Sequence, residues 1–183
     1  MRTPLLALGV AVTMACGGGD GSSDPLAPQV ENLSLGGNGT VAAKKDAVEL
    51  PFRGSFTGLS SSTEVVPPSH TVTGTAEGTA THLGRFTTTS VDVVFLATGS
   101  STGNWNFTAA NGDQLFTTTA GAADEFTPPN ISHVTLVATI VGGTGRFVAA
   151  TGTFTLEQTS IIDFATATAS VSGSFDGSIS RSK

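Results

Sequence analysis

The chain of 183 residues is short of charge, of cysteine and of helical periodicity. Charged residues make up 12% of it, and acidic residues outnumber basic ones by 14 to 8. This balance argues against a nucleic-acid-binding protein, which presents a basic face to its partner. The single cysteine excludes an intramolecular disulfide. No segment repeats its apolar residues with a helical period, and glycine is too frequent for helices, so a helical fold is excluded as well.

The residues that are abundant favour strands instead. Threonine is β-branched, and 11 phenylalanines are available for a core. All of these phenylalanines lie from Phe52 onward. Residues 17–47 are rich in glycine, serine, aspartate and proline, which predicts a disordered tether. We therefore expect a single folded domain over residues 48–181.

The first sixteen residues, MRTPLLALGVAVTMAC, have the pattern of an export signal. Arg2 supplies a positive charge near the N-terminus, and an apolar run follows from Leu5 to Ala15. The run is too short to cross a bilayer stably and is typical of a secretory signal. Because Cys16 follows directly, the segment resembles a bacterial lipoprotein signal, whose cysteine becomes lipidated. We expect export to the bacterial cell envelope with a lipid anchor at Cys16; a soluble secreted protein is the alternative.

Within the folded domain, apolar and polar residues alternate with a period of two, which is typical of β-strands. In HVTLVATIV, for example, Val134, Leu136, Ala138 and Ile140 share one face. The patterns predict eight strands, starting near residues 51, 70, 84, 104, 114, 132, 147 and 163. Tight turns join strands 2–3, 4–5 and 6–7, in THLGRF, AANGDQL and GGTGRF. Longer loops join the others, in SSSTEVVPPSH, ATGSSTGN, GAADEFTPPN and EQTSIID.

This alternation of short and long connections predicts the architecture. In an up-and-down antiparallel sheet, the tight turns all emerge at one end and the longer loops at the other. Eight strands suffice to close into a barrel that holds side chains or one small ligand. The predicted fold class is all-β: a single eight-stranded antiparallel up-and-down β-barrel after a signal peptide and a flexible tether.

The stretch IVGGTGRFVAATGTF, residues 140–154, looks like a phosphate-binding loop but lacks its context. Such a loop leads into a helix whose N-terminus meets the phosphate, whereas another strand pattern follows here. We interpret its glycines as positive-φ positions of a tight turn. No cofactor is expected. The structural turn residues predicted across the domain are Gly84, Asn111, Gly112, Asp113, Gly142, Gly143 and Gly145.

The same stretch carries a family resemblance. GGTGRFVAATGTF, after an apolar strand, resembles a hairpin of plant dirigent proteins and, more loosely, a segment of allene oxide cyclases. THLGRFT and AANGDQL resemble hairpins of bacterial secreted proteins with an allene-oxide-cyclase-like barrel. The resemblance covers most of residues 50–180 and implies an eight-stranded antiparallel barrel. Proteins of these families steer reactive intermediates inside a largely apolar barrel. Dirigent proteins form trimers, which leaves a homo-oligomer open for this chain.

Three residues are candidates for assisting chemistry in such a barrel: Asp92, Glu157 and His133. Asp92 lies in TTTSVDVVFLA on the same face as Phe86 and Val94. If it points inward, its pKa is raised and it can act as a general acid or base. If it points outward, it is an ordinary solvated carboxylate, and the rarity of unpaired buried carboxylates favours this orientation.

The other polar residues carry weaker signals. Arg85, Arg146 and Asp113 are expected at the tight-turn end, where they satisfy turn carbonyls or, alternatively, hold an anion. His70 and His133 begin strands at the other end and either line the barrel mouth or face solvent. The histidine spacing predicts no metal site.

Ser101, Trp105 and the acidic residues complete the set of candidates. Ser101 matches G-x-S-x-G, but no helix follows it, so a nucleophile is not expected. Trp105 is expected in the core. A predicted acidic rim at the mouth, which would disfavour anionic ligands, consists of Glu64, Asp124, Glu125, Glu157 and Asp163.

The sequence leaves three functions open. The first is a module that binds a small apolar ligand or a surface partner without catalysis. The second is an isomerase or cyclase that steers a reactive intermediate by confinement. The third is a purely structural surface protein. A ligand-sized lumen lined by Asp92 would favour the second function, and a lumen packed with side chains would favour the third.

Overall fold

The computed structural model of the protein describes residues 48–181, except for the side chains of Glu64, Asp124 and Glu125. The expected signal, the tether and Cys16 lie outside the described residues. Among the described residues, no helix has the length and apolar character to cross a membrane. Eight strands cover most of this part of the chain: β1 (Glu49–Val66), β2 (Ser69–Ala80), β3 (Gly84–Phe95), β4 (Ser100–Ala109), β5 (Gln114–Thr127), β6 (Ile131–Gly143), β7 (Thr151–Asp163) and β8 (Thr168–Ser180).

The strands form one closed barrel. Each strand pairs antiparallel with the next, and β8 closes the sheet by pairing with β1. Paired residues followed once around the barrel from Ser62 lead back to β1 at Phe52, ten residues earlier. This stagger tilts the strands and is the condition for closing a sheet of this width. The predicted single eight-stranded antiparallel up-and-down barrel is confirmed.

The strands extend further toward one end of the barrel than the sequence patterns predicted. The connections at this end, which we call the open end, are residues 67–68, 96–99, 128–130 and 164–167. Much of each predicted long loop is strand, and β8 begins at Thr168 rather than near residue 163. The prediction treated segments rich in serine, threonine and acidic residues as loops. Ladder hydrogen bonds are made by the backbone, so these polar segments pair as well as apolar ones do.

The opposite end, which we call the closed end, carries the connections 81–83, 110–113 and 144–150. The predicted start of strand 7 near residue 147 was wrong, because Gly145–Phe147 forms a 3₁₀ turn and β7 begins at Thr151. Phe147 is fully buried in this turn. The apolar residue that suggested a strand therefore closes the end of the core instead.

Aromatic rings fill the lumen toward the closed end. Pairs among Phe52, Phe107, Phe154 and Phe175 have ring centroids 5.0 to 6.1 Å apart. Gly173 faces this core, and a Cβ there would collide with the ring of Phe56. Glycine at that position therefore lets the backbone of β8 approach the ring closely.

Candidate functional site

The lumen is open in the half that faces the open end. A cavity of about 470 Å³ lies there, within the range of small-molecule sites. Trp105 and Leu136 belong both to the packed core and to the cavity lining, so they form its floor. The apolar part of the lining includes Val72, Val94, Ala123, Val134, Ile162 and Ala169. The polar part consists of Ser60, Ser62, His70, Asp92, Ser101, Ser132, Gln158, Ser160 and Thr168.

The cavity exists because the inward-facing residues become small in this half. On β1 the inward positions run from Phe52 and Phe56 at the closed end to Ser60 and Ser62 near the open end. Serine and alanine occupy equivalent positions on β4 to β8, and such side chains cannot fill a barrel of eight strands. The sequence carries this signal in the spacing of its phenylalanines.

Asp92 points from β3 into the barrel and is 7% exposed. Trp105 Nε1 donates a hydrogen bond to its Oδ2 at 3.1 Å, and Thr119 Oγ1 donates to its Oδ1 at 3.1 Å. Removal from water raises the pKa of Asp92, and hydrogen bonds from Thr119, Trp105 and Ser90 act against that rise. Asp92 therefore points inward, although the rarity of buried carboxylates favoured the outward orientation. The two donors, Trp105 on β4 and Thr119 on β5, explain how the barrel tolerates it.

Of the two histidines at the open end, one faces the lumen and the other faces the outer surface. His70 lines the cavity from β2, close to its mouth. His133 lies on β6 between Ser132 and Val134, which both line the cavity, so its own ring faces outward. On the outer surface, His133 Nδ1 lies 3.2 Å from Thr159 Oγ1. The structure therefore brings His70, and not His133, to the site.

Glu157 lies in the middle of β7, and its predicted place in a long loop at the mouth was wrong. It is exposed on the outer surface between Thr135 of β6 and Ser174 of β8, in a shallow groove that includes His133. Of the three candidates for chemistry, Asp92 is the one that the structure places in the cavity.

The edge of the open end carries exposed apolar side chains, which the sequence patterns did not predict. They come from all four connections or the strand ends beside them: Val65, Val66, Phe95, Leu96, Phe126 and Phe164. Asp163 ends β7 at the same edge and is exposed. The side chains of Glu64, Asp124 and Glu125 are outside the described set, so the acidic rim stays a prediction.

At the closed end, Arg146 and Asp113 lie together as expected. Arg146 Nη1 is 3.2 Å from Asp113 Oδ2, and its Nη2 donates to the carbonyl of Leu83 at 3.3 Å. Asn111 Nδ2 also donates to Asp113, at 2.8 Å. The Asn111 hydrogen bond first, then the backbone N–H and charge of Arg146, lower the pKa of Asp113. Arg85 is exposed on the outer surface of β3.

The turn glycines divide into two kinds. Positive φ occurs at Gly84, Gly112, Gly142 and Gly145, as expected of tight turns. Gly143 has no positive φ, so that expectation was wrong for it. An added Cβ at Gly143 would instead collide with the carbonyl of Gln114, so close packing of β5 requires glycine there.

Ser101 and Trp105, two further residues of interest in the sequence, are both buried. Ser101 is buried and lines the cavity from the start of β4, opposite Val94 of β3. Trp105 is buried, and its expected place in the core is confirmed. Within residues 48–181, no cluster of three or more histidine, cysteine, aspartate or glutamate side chains is arranged to hold a metal ion.

No family model matches the chain, and no curated protein matches it in sequence. Among solved structures, the chain is similar to a pterocarpan synthase dirigent protein, with a TM-score of 0.46 and 11% identity. The match covers 73% of this chain and 85% of that chain. A likeness this distant carries no argument about function, which has to come from the cavity itself.

Proposed function

We propose that the barrel binds one small, mainly apolar molecule in the open half of its lumen. The observation that supports this function is the cavity of about 470 Å³, whose lining combines apolar side chains with the polar ones given above. This combination is typical of small-molecule sites, where apolar contacts supply affinity and polar groups fix orientation.

The contrast between the two halves of the lumen supports the same proposal. A purely structural barrel would gain stability from large side chains throughout, as the phenylalanines provide at the closed end. In the open half, small residues such as Ser62, Ala123 and Ala169 do not provide that stabilisation. The open space is what a ligand would fill.

The binding function can be tested with the protein's only tryptophan, because Trp105 lines the cavity. We expect saturable binding of a neutral apolar probe, N-phenyl-1-naphthylamine, to change the fluorescence of Trp105. Ala169→Phe places a ring inside the cavity and should weaken binding by at least about tenfold. Ser170→Phe adds the same ring on the outer surface of β8 and should leave affinity unchanged. Equal affinity in the two variants would place the probe elsewhere and reject this function.

A second candidate function is an isomerase or cyclase that steers a reactive intermediate within the barrel. Asp92 favours it, because burial raises the pKa of this cavity carboxyl group, and such a group can deliver a proton to a ligand or accept one from it. For any ligand that the purified protein converts, Asp92→Asn should abolish turnover while binding remains. Unchanged turnover in that variant would remove Asp92 from the reaction.

For location, we propose export and lipid anchoring at a bacterial cell envelope through Cys16. The support is the order of a positive start, an apolar run and a cysteine in the sequence. Expressed in bacteria, the chain should incorporate labelled palmitate, and Cys16→Ser should not. Release of the unmodified protein into the medium would favour the soluble secreted alternative.

A further inference from the structure

The charged residues are unevenly distributed along the barrel. Within residues 48–181, the basic residues Arg53, Arg85, Arg146 and Arg181 all lie at the closed end. Arg53 is 2.7 Å from Asp176, and Arg146 is 3.2 Å from Asp113, so two of them are paired with acids there.

The open half has the opposite character. Asp92 lies in the cavity lining and Asp163 at the edge, whereas no lysine or arginine of the described residues lies in this half. The backbone positions of three further acidic residues, Glu64, Asp124 and Glu125, fall near the same ends of β1 and β5. Four acidic residues, Glu49, Glu77, Asp113 and Asp176, balance the arginines at the closed end, whereas the negative charge of the open half has no described lysine or arginine beside it.

The carboxyl group of Asp92 has no charged partner inside the cavity. The groups that donate to it, Trp105 and Thr119, are neutral. Among the lining residues, the titratable ones are Asp92 and His70, on the adjacent strands β3 and β2. Removal of this carboxylate from water is unfavourable and raises the pKa of Asp92, and no charged group in the lining offsets that cost. A positively charged ligand would supply the missing charge.

The indole ring of Trp105 contributes to the same site. It lines the cavity floor and is joined to Asp92 by its own N–H. This N–H holds the carboxylate in place, and the remaining lone pairs of its oxygens can accept from an ammonium group. A carboxylate held in this way at the base of an apolar cavity is suited to an organic ammonium ion.

We propose that the ligand of this cavity is an organic cation with an apolar body. Its ammonium group pairs with Asp92, and its hydrocarbon part lies against Val72, Val134 and Ile162. The proposal rests on the proposed binding function and specifies the ligand class. The negative potential of the open end draws such a cation to the mouth and repels a carboxylate of the same size.

The proposal is tested with octylammonium, 1-octanol and octanoate, which share one hydrocarbon chain and differ in charge. Each is titrated into the purified full-length protein at neutral pH and low salt, with Trp105 fluorescence and calorimetry as readouts. We expect octylammonium to bind roughly tenfold or more tightly than octanol, and octanoate to bind most weakly. This order of affinities in the wild-type protein tests the proposal without any variant.

Two variants test whether Asp92 causes the preference for octylammonium over octanol. In Asp92→Asn, the amide oxygen can accept from Trp105 and the amide nitrogen can donate to Thr119, so the shape is kept. This variant should bind octylammonium no more tightly than octanol. His70→Gln removes the other titratable group and should keep the preference. In the wild type, octylammonium affinity should fall as the pH drops through the raised pKa of Asp92, while octanol affinity should not.

The outcomes separate this proposal from the binding function. If octanol or octanoate binds wild-type protein as tightly as octylammonium, or if the preference survives in Asp92→Asn, the ligand is not a cation held by Asp92. The same conclusion follows if N-phenyl-1-naphthylamine binds in the cavity and octylammonium does not. If no probe binds, the proposed binding function fails as well.

Discussion

At the scale of single residues, Asp92 links the stability of the barrel to its site. Its carboxyl group is buried on β3, and burial raises its pKa above the ordinary value of 3.8. A group with a raised folded-state pKa binds its proton more tightly in the folded protein than in the unfolded one. The folded protein is therefore destabilised as the pH rises from the unfolded-state pKa through the folded-state pKa, and the loss is complete above that.

We expect this loss to be visible in the difference between wild-type protein and Asp92→Asn. The free energy of unfolding, measured by urea denaturation across acid to neutral pH, should fall with rising pH in the wild type relative to the variant. The pH range of this fall begins near the ordinary pKa of 3.8 and ends above the raised pKa of Asp92. Contributions from other acids such as Asp113 are common to both proteins and cancel. Parallel stability curves would show that Asp92 keeps an ordinary pKa in the folded protein.

A second residue-scale expectation concerns the 3₁₀ turn before β7. Gly145 has a φ of 53°, and an added Cβ would collide with the carboxylate of Asp113. Gly145→Ala should therefore destabilise the protein by roughly 1–3 kcal/mol. Ala149 lies in the same connection with a φ of 59° and is the matched control. Ala149→Gly should be neutral or stabilising by up to about 1 kcal/mol in thermal unfolding. Equal effects of the two changes would contradict the strain argument.

At the scale of strands, alternation in the sequence identified the faces correctly. It placed Phe52 with Phe56, and Val134 with Ile140, on shared faces, because each inward position near the closed end contacts a large apolar core. The parts of β1, β4, β5 and β7 near the open end were assigned to loops instead. There the inward residues are small and polar, such as Ser60 and Ser62, so both faces are hydrophilic and the alternation disappears.

The candidate site was predictable only in part for a related reason. Sequence alternation placed Asp92 on the face of Phe86 and Val94, which is the inward face. Whether a carboxylate is tolerated there depends on donors from β4 and β5, Trp105 and Thr119, and only the barrel register brings those to it. Glu157 was misplaced because the strand that contains it has the composition of a loop.

At the scale of the whole molecule, the barrel combines a packed half and an open half in one lumen. Rings such as Phe107 and Phe154 hold the closed end together, and the cavity occupies the remainder. The two halves should therefore respond differently to the loss of apolar side chains. In the closed half, truncation creates a new void among well-packed rings. In the open half, the neighbouring side chains already face empty or solvent-filled space.

We expect Phe107→Ala to lower the free energy of unfolding by about 3–5 kcal/mol, because Phe107 is fully buried and the void left behind cannot collapse. Val72 lines the cavity, and Val72→Ala should lower the free energy of unfolding by less than about 1.5 kcal/mol, since it enlarges an existing space. Ala169→Phe, which fills that space, should raise stability while weakening binding of the neutral probe. Urea denaturation of the three variants measures the three changes in stability. A cost for Val72→Ala as large as that for Phe107→Ala would mean that the open half is packed in solution, and the ligand would then have no space to enter.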